Sequence, residues 1–193
     1  MKVCIVGLGA IGGLLAAWMG TRLPAGTVTL SALARGATLA AVHGQGLVLE
    51  SAEGAQQVVL HASDNASALG VQDLVILAVK GPALASVAPA VRALMGPQTQ
   101  VLAAMNGVPW WFFEGLPGAC QGLRLTSVDP GGVAQTHIPS AQVVGGVVQV
   151  FLRKGVQGFN PYASLTLGSY GHRQGAAGVS GGSGPLSYSL GLQ

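Results

Sequence analysis

Apolar residues along the chain fall into short continuous runs, separated by glycine-containing turns and by segments with helical spacing. Lys2–Val6 (KVCIV) is the first such run and reads as a buried strand. Gly7–Gly9 turns the chain, and Ala10–Met19 (AIGGLLAAWM) reads as a helix. Thr27–Leu33 is a second strand, Leu39–Gly44 a short helix, and Gly46–Glu50 a third strand or a ribbon that Val58–Ala62 pairs. Asp73–Val79 (DLVILAV) is apolar without alternation, as expected of a parallel strand covered on both faces. Ala83–Leu94 follows as a helix with Pro82 near its first turn. Gln100–Met105 (QVLAAM) is another buried strand, ending at Asn106-Gly107.

Strands alternating with helices imply βαβ units, and hence an α/β fold built on a Rossmann-type, doubly wound, mostly parallel sheet. Right-handed crossovers bring the C-terminal ends of such strands to one edge, where open α/β sheets bind ligands. Gly7–Gly12, Lys80 and Asn106 each lie where a predicted strand ends. After Met105 the pattern weakens. Ser127–Gly132 is a turn, Gln142–Val150 a strand interrupted by two glycines, and Leu165–Leu167 a last short strand. From Gly171 onward Gly, Ser, Gln and Tyr dominate without a period. The expected organisation is a Rossmann domain over residues 1–170 and an irregular, Gly-rich, poorly ordered tail over 171–193.

Half of the 193 residues are hydrophobic and 8% are charged, which provides for a core and excludes a disordered chain. The net charge of +3 comes with no run of Lys or Arg, so a nucleic-acid partner is not expected and an anionic small ligand is. Cys4 and Cys120 have no CxxC spacing, and His43, His61, His137 and His172 have no metal-ligand spacing. A reducing cytoplasm is the default location. One competing reading concerns Val3–Thr21, an uncharged stretch flanked by Lys2 and Arg22 and long enough for a signal peptide or a membrane span. Its five glycines, and the β-branched residues ahead of them, argue against a membrane.

Gly7, Gly9 and Gly12 form GxGxxG (GLGAIG) between an apolar strand and a helix, the context that makes this pattern informative. Gly7 permits a tight turn, Gly9 lets the backbone approach a pyrophosphate, and Gly12 lets the helix pack on the strand. Free amides across Gly7, Leu8, Gly9, Ala10, Ile11 and Gly12 then meet the phosphates at the positive end of the helix dipole. An NAD-type site expects a carboxylate about 20 residues farther on, at the ribose 2′-hydroxyl. No Asp or Glu precedes Glu50, and the slot after the second strand holds Arg35. A guanidinium there can pair with a 2′-phosphate, with Ser31 adding a hydroxyl; the competing reading is a solvated surface arginine. Lys80 reads equally as a solvated strand cap or as a cation aimed at cofactor or substrate oxygen. Asn106 is either a turn former or an amide at a nicotinamide ribose or substrate carbonyl. Trp110, Trp111, Phe112 and Phe113 cannot all face one core, so at least one is expected to meet a ligand or partner unless the block plugs the sheet edge. Asp129 reads as a turn former.

Taken together, KVCIVGLGAIGG, Arg35 at the second strand end, DLVILAVK, MNGVPWW, SVDPGG and IPSAQVVGGVVQV resemble the ketopantoate reductase (2-dehydropantoate 2-reductase) family in order and spacing across residues 1–150. GVQGFNPYASLTLGSYG loosely resembles the segment that closes that family's first domain. The resemblance implies NADPH-dependent reduction of a 2-keto acid, 2-dehydropantoate, to pantoate. It implies NADP(H) bound by Gly7, Gly9 and Gly12, the 2′-phosphate by Arg35, a cofactor-side role for Lys80, and Asn106 near nicotinamide and substrate. It also implies a second, all-helical domain carrying a catalytic lysine and a supporting glutamate. Nothing here matches that domain. Lys154 is the only lysine after Lys80, and no Glu follows Glu114. The chain is therefore expected to be truncated or frame-shifted and weakly active or inactive. A non-catalytic NADP(H)-binding module is the alternative, and self-association through exposed apolar surface stays open.

Overall fold

In the computed structural model, which describes residues 1–51, 54–114, 118–144, 158–167, 173–183 and 186–192, the chain divides into two units, Met1–Val148 and Gln149–Gln193. The first unit runs β1 (Lys2–Val6), α1 (Ala10–Arg22), β2 (Thr29–Leu33), α2 (Gly36–Gln45), β3 (Leu47–Ser51), β4 (Gly54–Val58), β5 (His61–Ser63), α3 (Ala66–Leu69), β6 (Gln72–Leu77), α4 (Leu84–Ala93), β7 (Met95–Ala103), α5 (Val133–His137) and β8 (Val143–Val144). Six strands form one sheet in the order β5-β2-β1-β6-β7-β8, and each neighbouring pair is parallel. The chain winds outward from β1 through β2 to β5, then returns to β6 on the other side of β1. The order therefore reverses between β1 and β6, the crevice where open α/β sheets take ligands.

Both faces of the central strands are apolar, because successive residues point to opposite sides. On one face Val3, Ile5, Leu30 and Ile76 pack with Ala16 and Ala17 of α1 and with Val58 of β4. On the other, Cys4, Val6, Val75, Leu77 and Val101 pack with Leu84, Ala88 and Val91 of α4 and with Ala134 and Ile138 at α5. Each fully buried Ile, Leu or Val contributes roughly 1.5–3 kcal/mol relative to exposure. Burial pushes the Cys4 thiol up to about 11, against weaker opposing hydrogen bonds from Ser31 and Leu33, so Cys4 is a small core residue rather than a nucleophile.

The expected strands and helices are present with shifted ends. β7 starts at Met95 rather than Gln100, and α2 starts at Gly36 rather than Leu39. The ribbon is β3 paired antiparallel with β4. The stretch Val58–Ala62 is divided: Val58 ends β4, while His61–Ser63 joins the parallel sheet beside β2. The uncharged stretch Val3–Thr21 is split between a strand and a helix, and no helix among the described residues is long and apolar enough to cross a membrane. Only Val143–Val144 of the expected strand Gln142–Val150 lies within the described residues. Helix α5 was not expected, because Pro130-Gly131-Gly132 ahead of it reads as a turn. Both glycines take left-handed φ (73° and 69°), and the helix starts directly after them.

In the second unit β9 (Gly158–Leu167), β10 (Arg173–Ser183) and β11 (Leu186–Leu192) form an antiparallel sheet in the order β11-β10-β9. The register sets Val179 opposite Pro161 on one side and Leu190 on the other. The expected boundary at residue 170 and the irregular tail beyond it are thus corrected. Glycine content suggested a loose tail, yet Leu186, Tyr188, Leu190 and Leu192 alternate with Ser187, Ser189 and Gly191. That period of two is a strand pattern.

Candidate functional site

The C-terminal ends of the strands are stitched into a row by backbone hydrogen bonds. Ala34 donates to the Ser63 carbonyl at 3.0 Å, Gly7 to Leu33 at 3.1 Å, Ala78 to Val6 at 2.9 Å and Ala104 to Leu77 at 2.9 Å. The sequence-predicted residues come directly afterwards: Arg35 after Ala34, Leu8 and Gly9 after Gly7, Lys80 two residues past Ala78, and Asn106 two past Ala104. Along the row the order is Arg35, glycine loop, Lys80, Asn106. Three strand spacings separate the ends of β2 and β7, about 14 Å at the usual inter-strand distance.

The glycine loop is shaped by its surroundings. Gly7 has φ +93°, and a Cβ there would stand 2.8 Å from Val79 Cγ1 and 3.0 Å from the Ala78 carbonyl oxygen. A Cβ on Gly12 would collide with the Gly7 carbonyl oxygen and lie 3.0 Å from Ala78 Cβ. Gly9 differs: nothing lies within 4 Å of where its Cβ would be, so the space above it is open. Gly9 is the N-cap of α1 and supplies no side-chain cap; the first turn has no acidic residue. The Gly13 amide donates to the Gly9 carbonyl at 2.8 Å, and the amides before it have no carbonyl one turn back. Ala10 is exposed and Ile11 half-buried at this opening.

Arg35 is exposed, caps α2 through its backbone only, and makes no hydrogen bond or ion pair with a described residue. Lys80 is exposed; its carbonyl accepts from the Ala83 amide at 2.9 Å, which starts the turn leading into α4. Asn106 is exposed, and Gly107 beside it has φ +104°. Ser31 is not at this edge. It sits opposite Cys4 inside the sheet, 8% exposed, and its hydroxyl lies 3.3 Å from the Val3 carbonyl and 3.2 Å from Gln72 Oε1. A residue two positions before the end of β2 lies below the edge, so the expected Ser31 contact with a 2′-phosphate is withdrawn.

The aromatic block divides by burial. Trp110 is 5% exposed and packs in the core beside Ala134 and Ile138, while Phe112 is 45% exposed. Trp110 and Trp111 meet edge to face at 4.4 Å, and Phe112 and Phe113 at 5.0 Å. Asp129 does more than form a turn. Its carboxylate, 7% exposed, accepts from the amides of Ala134 at 2.8 Å and Gln135 at 3.0 Å, capping α5 from four residues ahead. The intervening Pro-Gly-Gly hides this pairing from a spacing argument. His43 and His137 each bond a backbone carbonyl at 2.9 Å, and no group of His, Cys, Asp or Glu among the described residues could hold a metal. An open cavity of about 450 Å³ lies between α2 and β3, reaching the glycine loop only through Leu8 and containing none of Arg35, Lys80 and Asn106. The candidate site is therefore the open edge and not that cavity.

Comparison with known proteins adds the family context. Residues 3–109, more than half of the chain, match the family model described as ketopantoate reductase PanE/ApbA. A 2-dehydropantoate 2-reductase from Mesorhizobium japonicum is 42% identical over 148 residues, 77% of this chain and 44% of that protein. A candidate ketopantoate reductase from Ralstonia solanacearum MolK2 superposes with a TM-score of 0.70 at 43% identity, over 89% of this chain and 48% of that one. The 2-dehydropantoate 2-reductase of Porphyromonas gingivalis W83 shares the fold at 21% identity, with a TM-score of 0.58 over 90% of this chain and 50% of its own. The chain spans about half the length of these relatives.

Proposed function

This chain belongs to the ketopantoate reductase PanE/ApbA family, and on that footing we propose that it binds NADP(H) along the row of strand ends and serves the reduction of a small 2-keto acid of the ketopantoate type. The observation that carries this reading is the opening over Gly9. Free amides of Ala10, Ile11 and Gly12 border that opening, and an exposed, unpaired Arg35 stands one strand away. Amides at a helix N-terminus favour phosphate, and a Cβ at Gly7 or Gly12 would fill the cradle itself. At the end of β2 the chain offers a guanidinium where an NAD site offers a carboxylate, which favours a 2′-phosphate over a free hydroxyl.

Bound NADPH supplies a hydride to the carbonyl carbon of the keto acid. The chain's part is charge and orientation. Lys80, at the end of β6, holds a positive charge where the alkoxide develops. The Asn106 amide, at the end of β7, donates to a keto or carboxylate oxygen and fixes the substrate's face. Lys80 is also the group at these two strand ends that can give up a proton near neutral pH once its environment lowers its affinity. Since the edge is open to water, each of these interactions is weaker than in a closed site. That openness favours a second reading, a cofactor-binding module without turnover.

Titrating NADPH by its fluorescence tests binding, and following NADPH oxidation with ketopantoate tests turnover. Binding with oxidation supports the reductase; binding without it leaves the module. Arg35→Ala is expected to narrow the preference for NADPH over NADH by about 10- to 100-fold, the value of a charge-assisted hydrogen-bond pair. Full retention of the preference removes Arg35 from the 2′-phosphate.

A further inference from the structure

We propose that Val108 and Phe112 form an apolar wall at the substrate end of the row, selecting 2-keto acids whose substituent is bulky and apolar. The inference rests on the reading of the edge as a keto acid site and adds the substituent class. Val108 lies two residues past Asn106, beyond the end of β7, and is 52% exposed. Phe112 is 45% exposed and is held in a turn by its amide's hydrogen bond to the Pro109 carbonyl at 3.2 Å.

Between and around these two exposed positions the loop is anchored. Trp110 is buried in the α5 side of the core, by packing alone, since its indole N–H has no acceptor among the described residues. The Glu114 carboxylate accepts from Gln135 Nε2 of α5 at 2.8 Å, and the Phe113 carbonyl accepts from the Gly122 amide at 2.9 Å. Phe113 in turn meets Phe112 edge to face. A loop fixed at 110, 113 and 114 gives Val108 and Phe112 defined positions without burying them.

Exposing two large apolar side chains from an anchored segment is unfavourable in water, and covering them by a ligand's hydrocarbon group recovers that burial. The polar partners for a keto acid's oxygens, Lys80 and Asn106, are on the β6 and β7 ends of the same row, so its substituent is left to meet the loop beyond Asn106. A hydrocarbon wall there discriminates against a small substituent by the lost contact, about tenfold or more per missing group.

The test uses the full chain saturated with NADP⁺, so that no turnover intervenes, and measures pyruvate, 3-methyl-2-oxobutanoate and phenylpyruvate binding by calorimetry. NADPH affinity, circular dichroism and sedimentation are recorded for every variant. The two larger acids are expected to bind at least about tenfold more tightly than pyruvate. Val108→Ser and Phe112→Ser are expected to shrink that ratio to below about threefold with NADPH affinity unchanged, while Phe112→Leu retains most of it. An unchanged ratio in the serine variants overturns the wall and leaves the keto acid reading intact. Binding of NADPH with no binding of any of the three acids overturns both. A change in sedimentation with an unaltered ratio also overturns the wall, by assigning the patch to a second copy of the chain. Should a serine variant lose its fold, Phe112→Leu and Val108→Ala decide by the same ratio.

Discussion

Gly9 and Gly12 stand three residues apart in one loop, and the structure gives them different work. Gly12 faces the Gly7 carbonyl and Ala78, so an added methyl group must displace backbone. Gly9 has φ −77°, which any residue adopts, and open space around it. Gly12→Ala is therefore expected to destabilise the fold by about 1–3 kcal/mol, as overpacking does. Gly9→Ala is expected to leave the thermal midpoint unchanged and to weaken NADPH binding, because its methyl group projects into the space a phosphate would use. Thermal unfolding and fluorescence titration of both variants check the pair, and equal midpoint losses would contradict it. Residue identity alone made these glycines look alike. Their separate roles come from β6, since Ala78 and Val79 are far from the loop in sequence and next to it in space. The same holds for Ser31, whose place in the chain made it look available and whose hydroxyl is occupied within the sheet.

Among the elements, α5 has the least support from its own sequence. It has five residues and follows two left-handed glycines, so local propensity does not nucleate it. Asp129 and the burial of Ala134 and Ile138 hold it instead. Asp129→Ala leaves two amides near buried surface without an acceptor and is expected to cost about 2 kcal/mol, at the upper end for a lost cap. Asp129→Asn, which keeps one oxygen acceptor, is expected to cost less. Denaturant midpoints for the two variants provide the measurement, and an undiminished midpoint in Asp129→Ala would show that packing alone supports α5. Strands β1 and β6, by contrast, announce themselves as uninterrupted apolar runs, because a strand covered on both faces has no polar position to offer. The N-terminal part of β7 does not: Gly96, Pro97 and Gln98 carry no strand pattern and are recruited by pairing with β6 and by Gln142, whose side chain bonds the Gly96 and Thr99 carbonyls.

At the scale of the molecule, the row of strand ends belongs wholly to the unit Met1–Val148, and the sheet of β9, β10 and β11 is separate from the parallel sheet. A chain ending at Val148 is accordingly expected to bind NADPH as tightly as the full chain. A fluorescence titration that shows a clear loss would give the second unit a part in cofactor binding. The parallel strands are ordered so that the chain's reversal falls between β1 and β6, beside the glycine loop and Lys80. That topology, rather than any single residue, brings four segments spread over some seventy residues of sequence to one edge.

The sequence by itself determined the buried parallel strands, the glycine turn, the missing carboxylate after β2 and the family, because each is written in adjacent residues or in their spacing. Only the tertiary structure decided which glycine is packed and which is open, that Ser31 is spoken for, that α5 exists, and that Trp110 is an anchor while Val108 and Phe112 are exposed. Those facts depend on contacts between residues distant in the chain, and such contacts are settled by topology and burial and not by local pattern.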